Sequence, residues 1–389
     1  MDSQRLVHVV QKMSRAGRPK KPVHIKGRLH ESAIGAIYFA SMADTGDSMV
    51  VKTLDLNKQN IWSVSKNNSR TTLRGLNDAH VLFLCEERDE ACEWASLWCD
   101  PFEDRADVTV GKVAYLTTYD DKIKPVKLRL NEFLNEATVG LIVSQTVGLK
   151  VPHIVMTRDA WIDDAHGHIL QDYGGISLFK NMADLTLQEF KSIVMQMLVT
   201  IALGQEACQL KHHDVHLDNV FLNRLKPSDS FNGQVLSSKP KWSYSLQGSK
   251  GPVHISIEHC GILAKLGDFG LSSASLDGVR FERVDYPLLD AAEKEWGEWS
   301  GTLEGQKTYD VAVFLSKFFM DDERSKCPSK LSSWARDCYA DIRKAVPILE
   351  CSVIGRPIRG REGNMSCADI LTLPIFAEFA ASEEGLKLC

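Results

Sequence analysis

The side chains of this chain best suited to chemistry lie in two short polar turns beside apolar runs. The first turn, within residues 211–222, carries a carboxylate at Asp214 and a carboxamide at Asn219, and the second closes an apolar run at Asp268. A carboxylate is a hard oxygen ligand that suits Mg²⁺, and a carboxylate within reach of a hydroxyl group can accept its proton. We therefore interpret the two turns as parts of a phosphoryl-transfer site.

The same turns resemble two motifs of the protein kinases. His212-His213-Asp214 followed by Asn219 is similar to the H-R-D-x-x-x-x-N catalytic loop, and Asp268-Phe269-Gly270 is similar to the D-F-G metal turn. The resemblance implies that Asp214 orients the acceptor hydroxyl and accepts its proton, that Asp268 binds a Mg²⁺ bridging the ATP phosphates, and that Asn219 holds a second Mg²⁺. ATP is then the donor, with Mg²⁺ or Mn²⁺ as the metal.

Two histidines depart from the usual loop. His213 stands where many kinases have the arginine that pairs with a phosphorylated activation segment, so we expect activity without such phosphorylation. His216 replaces the lysine that usually reaches the γ-phosphate, and D-x-H-x-x-N resembles loops of haspin-like kinases, some kinases of large DNA viruses and aminoglycoside-type phosphotransferases. Because imidazole titrates near neutrality, we expect a catalytic His216 and a rate that changes between about pH 6 and 8. A histidine that only fills space beside Asp214 is the alternative.

Two upstream residues are candidates for contact with the phosphates. Lys52 lies in the apolar run Val50-Val51-Lys52, where an unpaired ammonium group would be costly, and it resembles the lysine of V-A-I-K. Gly35 resembles the last glycine of the phosphate-covering loop, where only glycine lets the backbone approach closely. The alternative for Lys52 is an exposed position at a strand edge.

The resemblance also implies a partner for the lysine and a contact for adenine. A helix is predicted over 131–139, and in it we choose Glu136 over Glu132 as the glutamate that pairs with the lysine; an exposed glutamate is the alternative. Asp172 and Tyr173 resemble the hinge between kinase lobes, whose backbone groups hydrogen-bond adenine.

Periodicity and capping signals place these residues on secondary structure. Short β-rich runs over 23–54 predict an antiparallel meander. Thr186 with Glu189 is a capping box that begins a long apolar helix leading to the first turn. Asp310 begins a helix similar to the one whose aspartate braces the kinase catalytic loop, and 366–376 resembles the closing helix of kinase domains.

The predicted fold is α+β: a bilobal, protein-kinase-like arrangement with a small β-rich N-lobe, one regulatory helix, and a larger, mainly helical C-lobe. We expect an activation-type segment over 271–306 and a polar excursion after Asn219. The expected divisions are a flexible basic leader at 1–22, an N-lobe at 23–171 with an insertion at about 55–128, a hinge and C-lobe at 172–380 with an insertion at about 224–252, and a tail at 381–389.

Composition limits the partners. The chain has 389 residues, of which 44% are hydrophobic and 25% charged, and its net charge of −5 gives no general reason to expect nucleic acid or membrane. No apolar run has bilayer length and the ten cysteines form no C-x-x-C pair, so we expect no membrane association and an intracellular address, cytoplasmic or nuclear. The basic stretch 15–28 is either a nuclear-import or nucleic-acid-binding peptide or, the favoured interpretation, a solvated tail.

Three functions are compatible with these residues. The leading hypothesis is an ATP-dependent protein kinase directed at Ser/Thr of a protein substrate, because no Arg-rich tyrosine-kinase variant of the loop is present. The second is a small-molecule phosphotransferase, which shares the His216 pattern. The third is a pseudokinase scaffold, which the loss of the other loop glycines around Gly35 favours.

Overall fold

The structure, a computed structural model, describes residues 22–32, 35–55, 80–82, 128–162, 166–282, 308–319, 327–345, 349–350, 357–358 and 365–381. These residues form a mixed α and β protein with small, mainly antiparallel sheets and several helices, as the sequence predicted. Several predicted segments lie outside the described residues: the leader to residue 21, most of the insertion at about 55–128, the activation-type segment beyond 282 and the tail from 382, together with residues 33–34.

Helices and strands are numbered in chain order over the described residues. The α-helices are α1 Leu128–Thr146, α2 Leu178–Asn181, α3 Leu187–Cys208, α4 Tyr309–Ser316, α5 Ser329–Ala345 and α6 Cys367–Ile370, with 3₁₀ turns at Met182–Asp184, Leu236–Ser238 and Pro374–Phe379. The strands are β1 Val23–Ser32, β2 Gly35–Met42, β3 Ser48–Asp55, β4 His80–Leu82, β5 Thr157–Ile162, β6 His166–Asp172, β7 Ile176–Ser177, β8 Val220–Arg224, β9 Ser230–Phe231, β10 Gln234–Val235, β11 Lys241–Gly248, β12 Gly251–Glu258, β13 Ile262–Leu266, β14 Ala274–Leu276, β15 Val279–Glu282, β16 Leu349–Glu350 and β17 Pro357–Ile358. None of the helices in the described ranges has both the length and the apolar character needed to cross a bilayer.

The described residues divide into two compact units, each discontinuous in sequence. The first contains the residues up to Gln145, Met156–Tyr173 and the stretch from Asp268 to residue 282. The second contains Thr146–Val155, Gly174–Gly267 and the described residues from 308 onward. The division expected between residues 171 and 172 lies near the end of Met156–Tyr173.

The first unit is built on a five-stranded antiparallel sheet in the order β1-β2-β3-β6-β5. Successive side chains of a strand point to opposite faces, so Val51 packs in an apolar cluster on one face and Lys52 points to the other. Backbone pairing places Lys52 between Ile37 of β2 and Ile169 of β6. The lysine therefore lies in a central strand and not at a sheet edge.

Helix α1 is longer than the helix predicted over 131–139 and is buried from residue 133 to 144. It approaches β5 so closely that a Cβ at Gly140 would lie 2.5 Å from Thr157 Oγ1. One turn later, Ser144 Oγ accepts the N–H of Thr157 at 2.7 Å and donates to the carbonyl of Gly140 at 2.6 Å. These contacts fix α1 against the sheet and with it the position of Glu136.

Helix α3 is the central helix of the second unit. Its capping box is confirmed: Thr186 Oγ1 accepts the N–H of Glu189, and the Glu189 carboxylate accepts the N–H of Thr186. Farther along, the Gln196 carboxamide donates to the carbonyl of Ile262 at 3.1 Å and accepts the N–H of Ala264 at 2.7 Å. The helix thereby holds β13, the strand that continues into Gly267 and Asp268.

The insertion expected as a polar excursion at about 224–252 contains regular structure, which corrects the prediction. Strands β11 and β12 pair as an antiparallel hairpin over Lys241–Gly248 and Gly251–Glu258, adding strand to a unit expected to be mainly helical. The hairpin is fastened at both ends: the Trp242 ring stacks on His259 with centroids 4.7 Å apart, and Ser249 N–H and Oγ both bond to Asp369 Oδ1, at 2.7 and 3.0 Å. Packing of its apolar side chains outweighs the polar composition.

A buried histidine joins the hairpin to β13. His153 is fully buried, with Nδ1 3.1 Å from the carbonyl of Ala264 and Nε2 2.6 Å from the Tyr244 hydroxyl. A carbonyl only accepts, so Nδ1 carries the proton and Nε2 accepts from the tyrosine. Burial lowers the pKa of His153 to about 4 and raises the pKa of Tyr244, so both groups stay neutral at neutral pH.

We predict that this histidine makes the fold acid-sensitive. The unfolded chain binds a proton at His153 near pH 6.5 and the folded chain near pH 4, so stability is full above pH 6.5 and falls as the pH drops toward 4. At about 1.4 kcal/mol per pKa unit, the loss attributable to this group is about 3 kcal/mol. Urea unfolding measures the free energy of unfolding at about pH 7 and pH 4. Between these two pH values, His153→Gln should lose about 3 kcal/mol less of it than the wild type does. The control His24→Gln changes a histidine at an exposed site. If His153→Gln and His24→Gln lost the same free energy of unfolding between the two pH values, His153 would not be the source of the acid sensitivity.

Candidate active site

Lys52 is the centre of a charged cluster in the first unit. Its Nζ lies 2.7 Å from Glu136 Oε2 and 3.5 Å from Asp268 Oδ1. The Glu136 side chain is 1% exposed, and a buried carboxylate needs such a partner, whereas the Asp268 side chain is 43% exposed. The structure thus brings together Lys52, its predicted partner Glu136 and the predicted metal ligand Asp268. Glu136 is not an exposed glutamate.

The turn that carries Asp268 has an unusual backbone. Asp268 has a φ of 60°, in the left-handed region that residues other than glycine rarely adopt. The N–H of Gly270 bonds to Asp268 Oδ1 at 3.4 Å, and Phe269 is fully buried. Surrounding contacts must hold a backbone in this region, and such positions cluster at functional sites.

One of those contacts comes from Asn135, which the sequence analysis did not identify. Its buried side chain donates from Nδ2 to the carbonyl of Gly270 at 3.2 Å and to that of Ser272 at 2.9 Å. The only sequence signal is a carboxamide next to Glu136 in a helix whose other buried residues are mainly apolar. The residue lies on the helix that also supplies the partner of Lys52.

In the second unit, Asp310 holds the backbone of the loop that leads to Asp214. Its carboxylate is 2% exposed and accepts the N–H of His212 at 2.7 Å and the N–H of His213 at 2.8 Å. Burial raises the pKa of Asp310, while the nearby His212 and the two N–H donors act in the opposite direction. His213 itself has a φ of 63°, so the carboxylate stabilises a strained turn.

His212 adds a second support to this loop. It is fully buried and its Nε2 lies 3.0 Å from the carbonyl of Gly267, the residue before Asp268 in the chain. The N–H of Gly267 in turn donates to the carbonyl of Asn219 at 3.0 Å. The loop 212–219 is therefore tied to the end of β13 at two points.

Asp214, His216 and Asn219 form the second group of predicted site residues. Asn219 Nδ2 donates to the backbone carbonyl of Asp214 at 3.0 Å and lies 3.4 Å from its Oδ2. His216 Nε2 lies 3.4 Å from the same Oδ2, and its Nδ1 accepts the N–H of Asp218 at 3.2 Å. Because Nδ1 accepts, a neutral His216 carries its proton on Nε2. Two N–H groups therefore face one carboxylate oxygen of Asp214.

The remaining predicted residues lie in the first unit. Gly35 begins β2, where a Cβ would lie 2.1 Å from the carbonyl oxygen of Thr53, so close strand pairing alone requires a glycine. Asp172 ends β6 and Tyr173 follows it, but their N–H groups already donate to the carbonyls of Met156 and Ser48. In this structure those two N–H groups are engaged within the protein and cannot also serve adenine.

The donor atoms suit the metal that the sequence predicted. The open carboxylate of Asp268 is a hard oxygen ligand. Asn219 turns its amide nitrogen toward Asp214, which leaves its carboxamide oxygen as the group that could ligate a metal. Within the described ranges, no cluster of three or more His, Cys, Asp and Glu side chains could hold a metal ion. Mg²⁺ usually keeps one or two protein carboxylates and completes its shell with phosphate and water oxygens.

The predicted site residues therefore form two groups, each assembled within one unit. The first group consists of Lys52, Glu136 and Asp268. The second consists of Asp214, His216 and Asn219, and Asp310 holds the backbone that leads to it. No protein-family model matches this chain.

Proposed function

We propose that the chain is an ATP-dependent protein kinase, directed at serine and threonine, with the bilobal fold of that superfamily. The observation that carries the proposal is the position of Lys52 between a buried and an open carboxylate, Glu136 at 2.7 Å and Asp268 at 3.5 Å. A structural ion pair would need only the first of these. The second carboxylate, exposed and on a strained turn, is what a metal and phosphate site requires.

The first group of residues would bind the donor. Lys52, oriented by Glu136, neutralises phosphate charge, and Asp268 would hold Mg²⁺, whose contribution when bound is to offset the negative charge on the transferred group. Asp268 and Glu136 place two negative charges beside one lysine.

The second group would act on the acceptor. Asp214 accepts the proton of the substrate hydroxyl as that oxygen forms its bond to the γ-phosphorus and the bond from the γ-phosphorus to the β-phosphate oxygen breaks, releasing ADP. Asn219 and His216 keep the Asp214 carboxylate oriented through contacts to its Oδ2 and its backbone carbonyl. Orientation matters because proton transfer requires hydrogen-bond reach.

A small-molecule phosphotransferase is the second candidate, because the D-x-H-x-x-N pattern around His216 occurs in that class too. The protein-kinase proposal has additional support from Asp310, whose carboxylate braces the loop through two backbone N–H groups, and from the closing segment, where α6 begins with a capping box at Ser366. The scaffold alternative has to leave the Lys52, Glu136 and Asp268 cluster without a role.

The test is transfer of labelled γ-phosphate from ATP with Mg²⁺ or Mn²⁺. Acceptors would be the protein itself, mixed basic and acidic proteins, and a panel of small hydroxyl compounds including aminoglycosides, with Asp214→Asn purified in parallel to expose a contaminating kinase. Label on Ser or Thr of protein supports the proposal. Label only on small molecules favours the second candidate. ATP-dependent thermal stabilisation without any transfer favours the scaffold.

We predict that His216 gives the reaction its pH dependence. An imidazole changes charge between about pH 5 and 8 and a lysine does not, so the wild-type rate should change severalfold between pH 6 and 8 while His216→Lys gives a flatter profile. The measurement is kcat at saturating ATP across that range, with His24→Gln as a control at an exposed site. Identical profiles for wild type and His216→Lys would refute the role.

A further inference from the structure

Asn135 lies on helix α1, but its side chain makes two hydrogen bonds outside that helix, to the chain at the turn that carries Asp268. Both of its Nδ2 hydrogens point to backbone carbonyls, those of Gly270 at 3.2 Å and Ser272 at 2.9 Å. The two carbonyls belong to the residues on either side of Leu271, so the Asn135 side chain bridges the chain where it leaves the turn. A carboxamide offers two donors in one plane, which no other side chain of this size provides.

The chain beyond the turn is also ordered by a strand hairpin and a buried hydrogen bond. Strands β14 and β15 form a hairpin whose tip, Asp277-Gly278, has φ values of 51° and 82°, as a two-residue type I′ turn requires. The buried Arg280 donates from Nη2 to Ser273 Oγ at 2.8 Å. The arginine is thus bonded to a serine within the described part of the segment, residues 268–282.

We propose that Asn135 is a positioning residue that holds the Asp268 turn in its metal-binding conformation. This inference rests on the proposed function. Glu136 orients Lys52, while its neighbour Asn135 orients Asp268 through the backbone, so one turn of α1 sets both ends of the Lys52 to Asp268 contact.

The mechanism follows from the backbone strain at Asp268. A residue with a φ of 60° reverts to the extended or right-handed region unless its neighbours prevent it. The carbonyls of Gly270 and Ser272 can reach Asn135 only while the turn keeps its present course. Loss of the two donors frees the turn, and the Asp268 carboxylate then spends less time beside Lys52.

The test uses three variants of the full-length protein. Asn135→Leu removes both donors at similar volume, and Asn135→Asp replaces them with a carboxyl group that donates only when protonated. Thr138→Val is the matched control, because Thr138 is buried on the same helix and its hydroxyl has no hydrogen-bond partner in the described part of the chain. We expect kcat to fall about 10- to 100-fold in Asn135→Leu, the effect of losing buried hydrogen bonds, and to be unchanged in Thr138→Val.

The pH profile separates positioning from simple loss of packing. Burial beside Glu136 raises the pKa of the introduced carboxyl group in Asn135→Asp, so its rate relative to wild type should recover severalfold as the pH falls from about 8 to 6. Asn135→Leu should show no such recovery. A ratio for Asn135→Asp that is constant with pH, or wild-type rates in both variants, would overturn the inference.

Hydrogen exchange distinguishes this inference from the proposed function. If the wild type transfers no phosphate, the kinase proposal fails, but exchange of the amides of 268–282 still reports on the turn. Faster exchange in Asn135→Asp at pH 8 that returns toward wild type at pH 6, after correction for intrinsic rates, would support the positioning role alone. Equal protection in all four proteins would reject it whatever the activity.

Discussion

The Asp214→Asn protein should transfer phosphate about 100- to 10,000-fold more slowly than the wild type, the range for loss of a positioned general base. The substitution keeps the volume of the side chain and removes its ability to take a proton. The contact from Asn219 to the backbone carbonyl of residue 214 does not depend on the carboxylate and should remain. The loss is therefore expected in kcat, with melting temperature and ATP affinity close to those of the wild type.

Asp218→Asn is the matched control for this experiment. It makes the same chemical change in the same loop, at an exposed carboxylate that accepts a hydrogen bond from Ser177 Oγ at 3.1 Å. Initial rates of label transfer at saturating ATP should place it near the wild type. Equal rates in Asp214→Asn and Asp218→Asn would mean that the Asp214 carboxylate takes no proton in the reaction, and the proposed mechanism would have to be abandoned.

Residue type and order predicted one part of the site because its chemistry allows few alternatives. Lys52 in an apolar strand requires an anion, and the resemblance to kinases implied Glu136 as its partner and Asp268 as a metal ligand. The structure joins Lys52 to both, across sequence separations of 84 and 216 residues. The capping box at Thr186 was equally predictable, because it depends on two residues three positions apart.

Other features could not be predicted because they depend on backbone geometry. Asn135 bonds to carbonyls at separations of 135 and 137 residues, and every residue has a carbonyl, so the sequence does not mark the partner. For the same reason, the sequence does not show that the N–H groups of Asp172 and Tyr173 already donate to backbone carbonyls.

Strand β11 is different, because its signal was present and its polar composition masked it. Trp242, Tyr244 and Leu246 alternate with Ser243 and Ser245, a period of two that is typical of a strand with one buried face. Serine and lysine lowered the apparent strand propensity of the segment. Packing on α3 and on His153 outweighed it, as tertiary contacts commonly outweigh β propensity.

The Asp310→Ala substitution should have the largest effect on stability, about 2 to 5 kcal/mol, because each buried N–H that loses its acceptor costs about 1 to 3 kcal/mol. The wild-type carboxylate accepts the N–H groups of His212 and His213 at 2.7 and 2.8 Å. Its burial, which raises the pKa of Asp310, is itself unfavourable, so removal of the charge offsets part of the loss. Urea unfolding of Asp310→Ala beside the exposed-site control Asp184→Ala measures the difference.

Activity should fall further than stability in Asp310→Ala, because the same two N–H groups hold the backbone from which Asp214 projects. His213 is in the left-handed region and has little reason to stay there once its N–H is released. Under conditions where the variant remains folded, kcat should therefore fall at least about 10-fold, as expected when a catalytic group is misplaced by about 1 Å. Asp310→Asn, whose carboxamide oxygen can still accept one of the two N–H groups, should retain intermediate stability and intermediate activity. If Asp310→Ala were destabilised but catalytically normal while folded, Asp310 would have a purely structural role, and the loop geometry would have to be set by His212 and its bond to Gly267.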